Sequence, residues 1–267
     1  MAHAFSFAPS GYEEQTRPII KLSRHRDPVE TLWTFNATRD HDYLILPDGR
    51  ADIILRFRHG SDGRCKDIVP TLVGPSSVAT VVSIGRNDGF VGVRLRPGRL
   101  GILGHAANLR DRHLSGSDAV HCIGALATIP NSARSVQILI DDLLSVVADV
   151  TAIKSDAAVD TIDEALDHVH RSGGRIGAGA LAKTLGLTPR TTHRLFLRHI
   201  GMGPQLYAAV LRFQRAVRLF HRGLTLTQTA HEAGYADQAH MTRSFRRHCG
   251  HAPTNMPEVD LGSMPLS

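Results

Sequence analysis

The stretch AHEAGYADQAHMTRSFRRHCG, Ala230 to Gly250, places Arg243, Arg246 and Arg247 on one short segment with no acid beyond Glu232 and Asp237. Gly234 can take a positive φ and end a short helix over Thr227 to Ala233. Asp237 is a good N-cap, because the first amides of the next helix have no acceptor within that helix. The following helix is expected from Gln238 to Cys249, with Gly250 as its stop. At about 100° per residue, Met241, Phe245 and Cys249 share one face, which predicts a buried side. Ala239, His240, Arg243, Arg246 and Arg247 point the other way, with Thr242 at the flank. An amphipathic helix whose polar side is almost wholly cationic suits the major groove of DNA.

The same pattern occurs earlier in GALAKTLGLTPRTTHRLFLRHIG, Gly179 to Gly201. A helix from Ala180 to Thr184 meets a turn at Leu185-Gly186-Leu187. Thr188 can cap the next helix, and Pro189 suits its first position. Leu195 and Phe196 are expected inside, Arg190, Arg194, Leu197 and Arg198 outside, and His193 at the flank. Each copy has the form of a helix-turn-helix. Between them PQLYAAVLRFQRAVRLFHRG, Pro204 to Gly223, reads as one long helix of about 27 Å. A strut of that length could hold two recognition helices in major-groove segments about one turn, ~34 Å, apart.

The charge follows the same division. Arg171 to His251 holds thirteen Arg or Lys against Glu232 and Asp237 alone, which is +11. The whole chain carries only +6, so the remainder sits at −5. A split of this kind points to a polyanion facing one half, because each neutralised phosphate releases condensed counterions.

The order Leu181-Ala182, Arg194-x-Phe196, Gly201, Pro204, Tyr207, Arg212, Ala216, Ala230, Gly234-Tyr235, Arg243-x-Phe245 and Gly250 resembles the AraC/XylS family of bacterial transcriptional regulators, over roughly Asp160 to Pro257. In that family both recognition helices lie in successive major grooves. The resemblance implies base contacts from Arg190, His193 and Arg194 in the first helix, and from Gln238, Ala239, His240, Thr242 and Arg243 in the second. It assigns Arg198, Arg246 and Arg247 to phosphates. It also implies activation through RNA polymerase. The family prefers bulky apolar residues where Thr192 and Thr229 stand, His199 falls on the inward side of its helix, and the usual tyrosine is missing after HAPTNMP.

The first ~125 residues read mainly as strands and turns. TLWTFNA, Thr31 to Ala37, is a β-branched and apolar run. YLILPDGRADIILRF, Tyr43 to Phe57, has two apolar runs around the turn residues Pro47-Asp48-Gly49. VATVVSIG and GFVGVRLRPG read as a second pair joined through Asn87-Asp88-Gly89, with Val91, Val93 and Leu95 on one buried face. Helices follow: one carries Val136, Leu139, Ile140, Leu143, Leu144 and Val147, another Val159, Ile162, Leu166 and Val169, with Gly173 as a stop. The first stripe suits a core or a homodimer surface. The fold class is therefore α+β: a β-rich domain over residues 1–152, then an all-α DNA-binding domain over 156–257. The latter comprises helix-turn-helix units at 178–200 and 226–250 joined by a helix at 204–222. LPDGRADIILRF, LVGPS and GVRLRPGRLGILG resemble the sensory domains of some of these regulators, which implies an effector of unknown chemistry or a dimer contact.

Other chemistries find little support. Sixteen histidines invite a metal, yet His248-Cys249-x-His251 falls short of four ligands, and His168 and His170 diverge on a helix. No catalytic constellation or phosphate loop stands out, so no enzyme, metal or cofactor is expected. Asp48, Arg50 and Asp52 read as turn chemistry with a local ion pair, against a competing reading as a ligand-binding group. Cys65, Cys122 and Cys249 are distant and odd in number, which fits inert thiols in a reducing cytoplasm. No secretory signal and no membrane-spanning apolar run is visible. The expected function is a cytoplasmic, sequence-specific DNA-binding transcriptional regulator, an activator. A nonspecific architectural DNA binder, or a catalytic β-domain targeted to DNA, are the competing readings.

Overall fold

A computed structural model describes residues 12–15, 28–103, 108–132, 134–151 and 157–257. The division expected at 152–156 lies outside these residues.

Eight strands precede the main run of helices: β1 Tyr12–Gln15, β2 Val29–Asn36, β3 His41–Ile45, β4 Ala51–His59, β5 Cys65–Val73, β6 Thr80–Ile84, β7 Asp88–Leu95 and β8 His113–Ser115. Six form an antiparallel sheet in the order β1-β2-β7-β4-β5-β8, and β3 and β6 form a separate two-stranded sheet. Alternation builds the large sheet's inner face from Leu32, Ile53, Leu55, Phe57, Leu72, Val91, Val93 and Leu95, all buried. Short elements follow β7: 3₁₀ turns at Leu100–Leu103 and Gly124–Thr128, and α1 Ser117–Cys122. α2 Val136–Thr151 covers the inner face with Leu139, Leu143, Val146 and Val147. Most of its apolar stripe is therefore core, and Ile138 is the large apolar side chain it leaves exposed.

The two expected strand pairs do not form. The turn at Pro47–Gly49 joins β3 to β4, but β3 pairs with β6 while β4 pairs with β5 and β7. The turn through Asn87 likewise joins strands of different sheets. The turn chemistry was read correctly, because Asp48 Oδ1 accepts the Arg50 amide at 2.9 Å and Gly49 has φ 67°. What local chemistry could not specify is where the turn docks. A Cβ on Gly49 would lie 3.1 Å from the Tyr207 ring, and Gln214 Nε2 donates to the Pro47 carbonyl at 3.1 Å. The chain is held against a distant helix as it crosses from one sheet to the other.

The expected ion pair is also redrawn. Arg50 pairs with Glu30, its Nη2 donating to Oε1 at 3.0 Å, and Asp52 takes Arg94 Nε at 3.2 Å and Trp33 Nε1 at 2.9 Å. Three strands share these charges, so burial does not leave them uncompensated. Burial pushes the Asp52 carboxyl above its ordinary range, against the pull of Arg94. Glu30 is held below its range by Arg50 although burial opposes this. The three thiols are free, and burial raises each of them above the ordinary value.

The remaining helices are α3 Ala157–Arg171, α4 Ala178–Thr184, α5 Pro189–Ile200, α6 Pro204–His221, α7 Leu226–Ala233 and α8 Gln238–Cys249. Two apolar cores are strung along α6. Tyr207, Ala208 and Val210 join Ile162, Leu181, Phe196 and Ile200 in the first core. Phe213, Ala216 and Val217 join Ala230, Tyr235, Met241, Phe245 and Cys249 in the second. The second core also takes Leu46 from the β-rich half. No helix among the described residues is long and apolar enough to cross a membrane.

Candidate nucleic-acid interface

Local sequence chemistry sets the ends of both candidate recognition helices. Thr188 Oγ1 accepts the Thr191 amide at 3.1 Å at the start of α5, with Pro189 at the first position. Asp237 Oδ1 accepts the His240 amide at 2.6 Å at the start of α8. Gly201 and Gly250 close the two helices in the left-handed conformation, where a Cβ would be strained. A capping box between Thr225 and Gln228 starts α7, and Gly234 ends it at φ 85°.

These ends fix which side chains face outward. On α8, Met241, Phe245 and Cys249 are buried, while Gln238, Ala239, Arg243, Arg246 and Arg247 are exposed. His240 is half-buried, its ring edge-on to Tyr235 at 5.2 Å. Thr242 is half-buried too, and its hydroxyl donates to the Gln238 carbonyl at 2.9 Å. That leaves its methyl and lone pairs for any outside partner. On α5, Arg190, His193, Arg194 and Arg198 are exposed, with Phe196 buried. Leu195 is only half-buried, and so is Leu197, which the sequence placed outside. Among the described residues, no acidic side chain pairs with Arg190, Arg194, Arg243, Arg246 or Arg247. Exposed arginines without acidic neighbours produce a positive surface, which is the electrostatic footprint of a phosphate-binding face.

The departures from family preference have physical accounts. Thr192 and Thr229 are fully buried, but their hydroxyls turn back to the Thr188 and Leu224 carbonyls at 3.1 and 3.4 Å. His199 is buried, and it faces the other half of the chain. A Cβ on Gly101 would lie 2.8 Å from its Nδ1 and 2.9 Å from the Arg198 carbonyl oxygen.

Sequence reasoning missed a set of residues that hold this interface from behind. Arg99 makes two 2.7 Å bonds to the Asp163 carboxylate, and Gly98 lies against Leu166 and Ile162. The Ala79 amide donates to the His248 carbonyl at 2.6 Å, and His248 Nδ1 meets the Ser77 carbonyl oxygen at 2.7 Å. Asp111 fixes Ser77 in turn, accepting its hydroxyl at 2.8 Å. The glycines of RPGRLGILG were the one visible hint of close backbone approach.

Two helix-turn-helix units on a shared helix define a DNA-binding domain of the tandem kind. Residues 181–258 match the family described as "Helix-turn-helix domain", and this segment is a domain of the AraC/XylS type. Among curated proteins, the HTH-type transcriptional activator RhaS of Pectobacterium carotovorum subsp. carotovorum is 35% identical over 79 residues, 29% of this chain and 28% of that protein. RhaS of Escherichia fergusonii is 37% identical over 75 residues, 28% of this chain and 27% of that protein. The chain thus matches less than a third of the length of these relatives. Among solved structures, ToxT of Vibrio cholerae aligns over 92% of this chain and 97% of its own, with 13% identity and a TM-score of 0.43. The C-terminal domain of AraT from Geobacillus stearothermophilus covers 42% of this chain and 92% of its own, with 16% identity and a TM-score of 0.36.

Proposed function

We propose that this chain is a sequence-specific, DNA-binding transcription regulator of the cytoplasm that activates promoters through RNA polymerase. The observation that carries the reading is the pair of capped helices α5 and α8 on units joined by the 18-residue α6, with Arg190 and Arg194 on one and Arg243, Arg246 and Arg247 on the other exposed and, among the described residues, without an acidic partner. In this reading Arg190, His193, Arg194, Gln238, Ala239, His240, Thr242 and Arg243 face base edges. Arg198, Arg246 and Arg247 hold phosphates. The DNA-reading domain runs over residues 156–257, and the β-rich domain over 1–152 receives a small-molecule signal or pairs two copies. The activator names of the two RhaS relatives support the sign of regulation.

The test is selection of duplexes from a random pool by the full chain, followed by gel-shift at physiological salt. A recovered consensus that outcompetes random DNA by about 10³-fold or more is the expected result. Equal binding to selected and random duplexes, with many copies per molecule, would instead identify a nonspecific architectural protein. Dependence of promoter output on the chain then checks activation.

A further inference from the structure

The β-rich half has two sheets, and each is fastened to a different helix-turn-helix unit. The small sheet belongs to the second unit. Leu46, just after β3, is buried in the core of Phe213, Val217, Met241 and Phe245, with Leu44 and Ala79 packed beside it. Just before β6, the Ser77 carbonyl and the Ala79 amide both bond His248 near the end of α8. The large sheet is fastened to the first unit at α5 and to α3, which shares that unit's core. Directly after β7, Gly98 rests on Ile162 and Leu166, Arg99 grips Asp163 with two bonds, and Gly101 leaves no room for a side chain against the α5 backbone at Arg198. The two sheets share no ladder; they are joined through the turns at Pro47–Gly49 and Asn87 and meet over Phe35, Tyr43 and Phe90.

From this arrangement we infer that the β-rich half is part of the DNA reader, setting the separation and tilt of its two recognition helices. The spacing between sheets and the spacing between helix-turn-helix units form one mechanical coordinate, with α6 as its hinge line. Ser77, Ala79, Arg99 and Gly101 are positioning residues: they act on DNA only through α5 and α8. A single α6 fixes the order of the units. The two fastenings, one at α8 and one at α3 and α5, add the restraint against bending and twisting that one helix lacks.

This inference rests on the DNA-reading function proposed above, and the experiment separates the two. The full chain and its variants are measured on the selected duplex and on versions with one or two base pairs inserted or removed between the two contacted elements. The unaltered chain is expected to prefer its own spacing by about tenfold, a usual size for coupled sites. Arg99→Asp and Asp163→Arg should each flatten that preference, and the double exchange should restore it, which misfolding cannot mimic. Ala79→Pro, which deletes the donor to His248, should flatten it from the other side. A chain that selects no DNA overturns the DNA-reading function and this inference together. Selected DNA with no spacing preference, or variants that keep the full preference while hydrogen exchange shows their fastening opened, overturns the inference alone.

Discussion

Arg243 and Arg247 lie four residues apart on α8, both exposed and both without an acidic partner, yet they are expected to do different work. Arg243→Ala should cost about 1–3 kcal/mol and relax preference at one position, whereas Arg247→Ala should weaken all sequences alike and lower the salt slope. Titrations on matched and mismatched duplexes at several salt concentrations check the pair; equal losses on every sequence for both would sink the division of roles. Asp237 forms an ion pair with neither of them; its Oδ1 accepts the His240 amide. Asp237→Ala should lower stability by about 1 kcal/mol in denaturant unfolding. The cap, the buried face and the exposed arginines were legible because their cues are local: a capping residue, a period and a charge pattern within a dozen residues. His199 was legible only as a departure. Its polarity on a buried face makes sense beside Gly101, nearly a hundred positions away, and no local pattern could reveal that.

At the level of elements, helices and strands differed in what the sequence could tell. α5, α6 and α8 begin and end where Thr188, Pro204, Asp237 and the closing glycines predicted, since caps act on their own helix. Strand β7 was found by alternation and β4 as an apolar run beside a turn, but pairing is a choice among distant partners. The turns at Pro47–Gly49 and Asn87 looked like hairpin signals and were built as crossings between sheets. Within α7, Thr229 is fully buried and its hydroxyl reaches the Leu224 carbonyl only at 3.4 Å. Thr229→Val keeps the shape and removes a weakly satisfied hydroxyl, so a gain on the order of 1 kcal/mol is expected. Denaturant midpoints of the two proteins decide this; a loss would show that the hydroxyl bond matters more than its length suggests.

For the whole molecule, acid should act on the contact between the halves. Burial, foremost, lowers the affinity of His170, His221 and His248 for protons below the ordinary value of 6.5. His170 meets the Tyr207 hydroxyl at 2.9 Å with Arg50, Asp167 and Glu30 nearby, and His248 meets the Ser77 carbonyl with Arg247, Arg212 and Asp111 around it. The folded chain thus resists protons that the unfolded chain accepts near 6.5. The stability from these histidines is complete above about pH 6.5 and is lost as pH falls from there toward the lowered native values. Unfolding at a series of pH values between about 7.5 and 5 checks the sign, and His248→Gln should make the acid slope shallower. The packing that creates this sensitivity was hidden in the sequence, because no pattern near His248 pointed to Ser77.

The bond from the Ala79 amide to the His248 carbonyl also bears on how freely such chains can exchange parts. A recombination event that joined this β-rich half to the reading half of a relative would have to bring compatible surfaces at α3, α5 and α8 together. Splicing at the proposed division would still break the match, so ancestry in this chain should be inherited by both halves together.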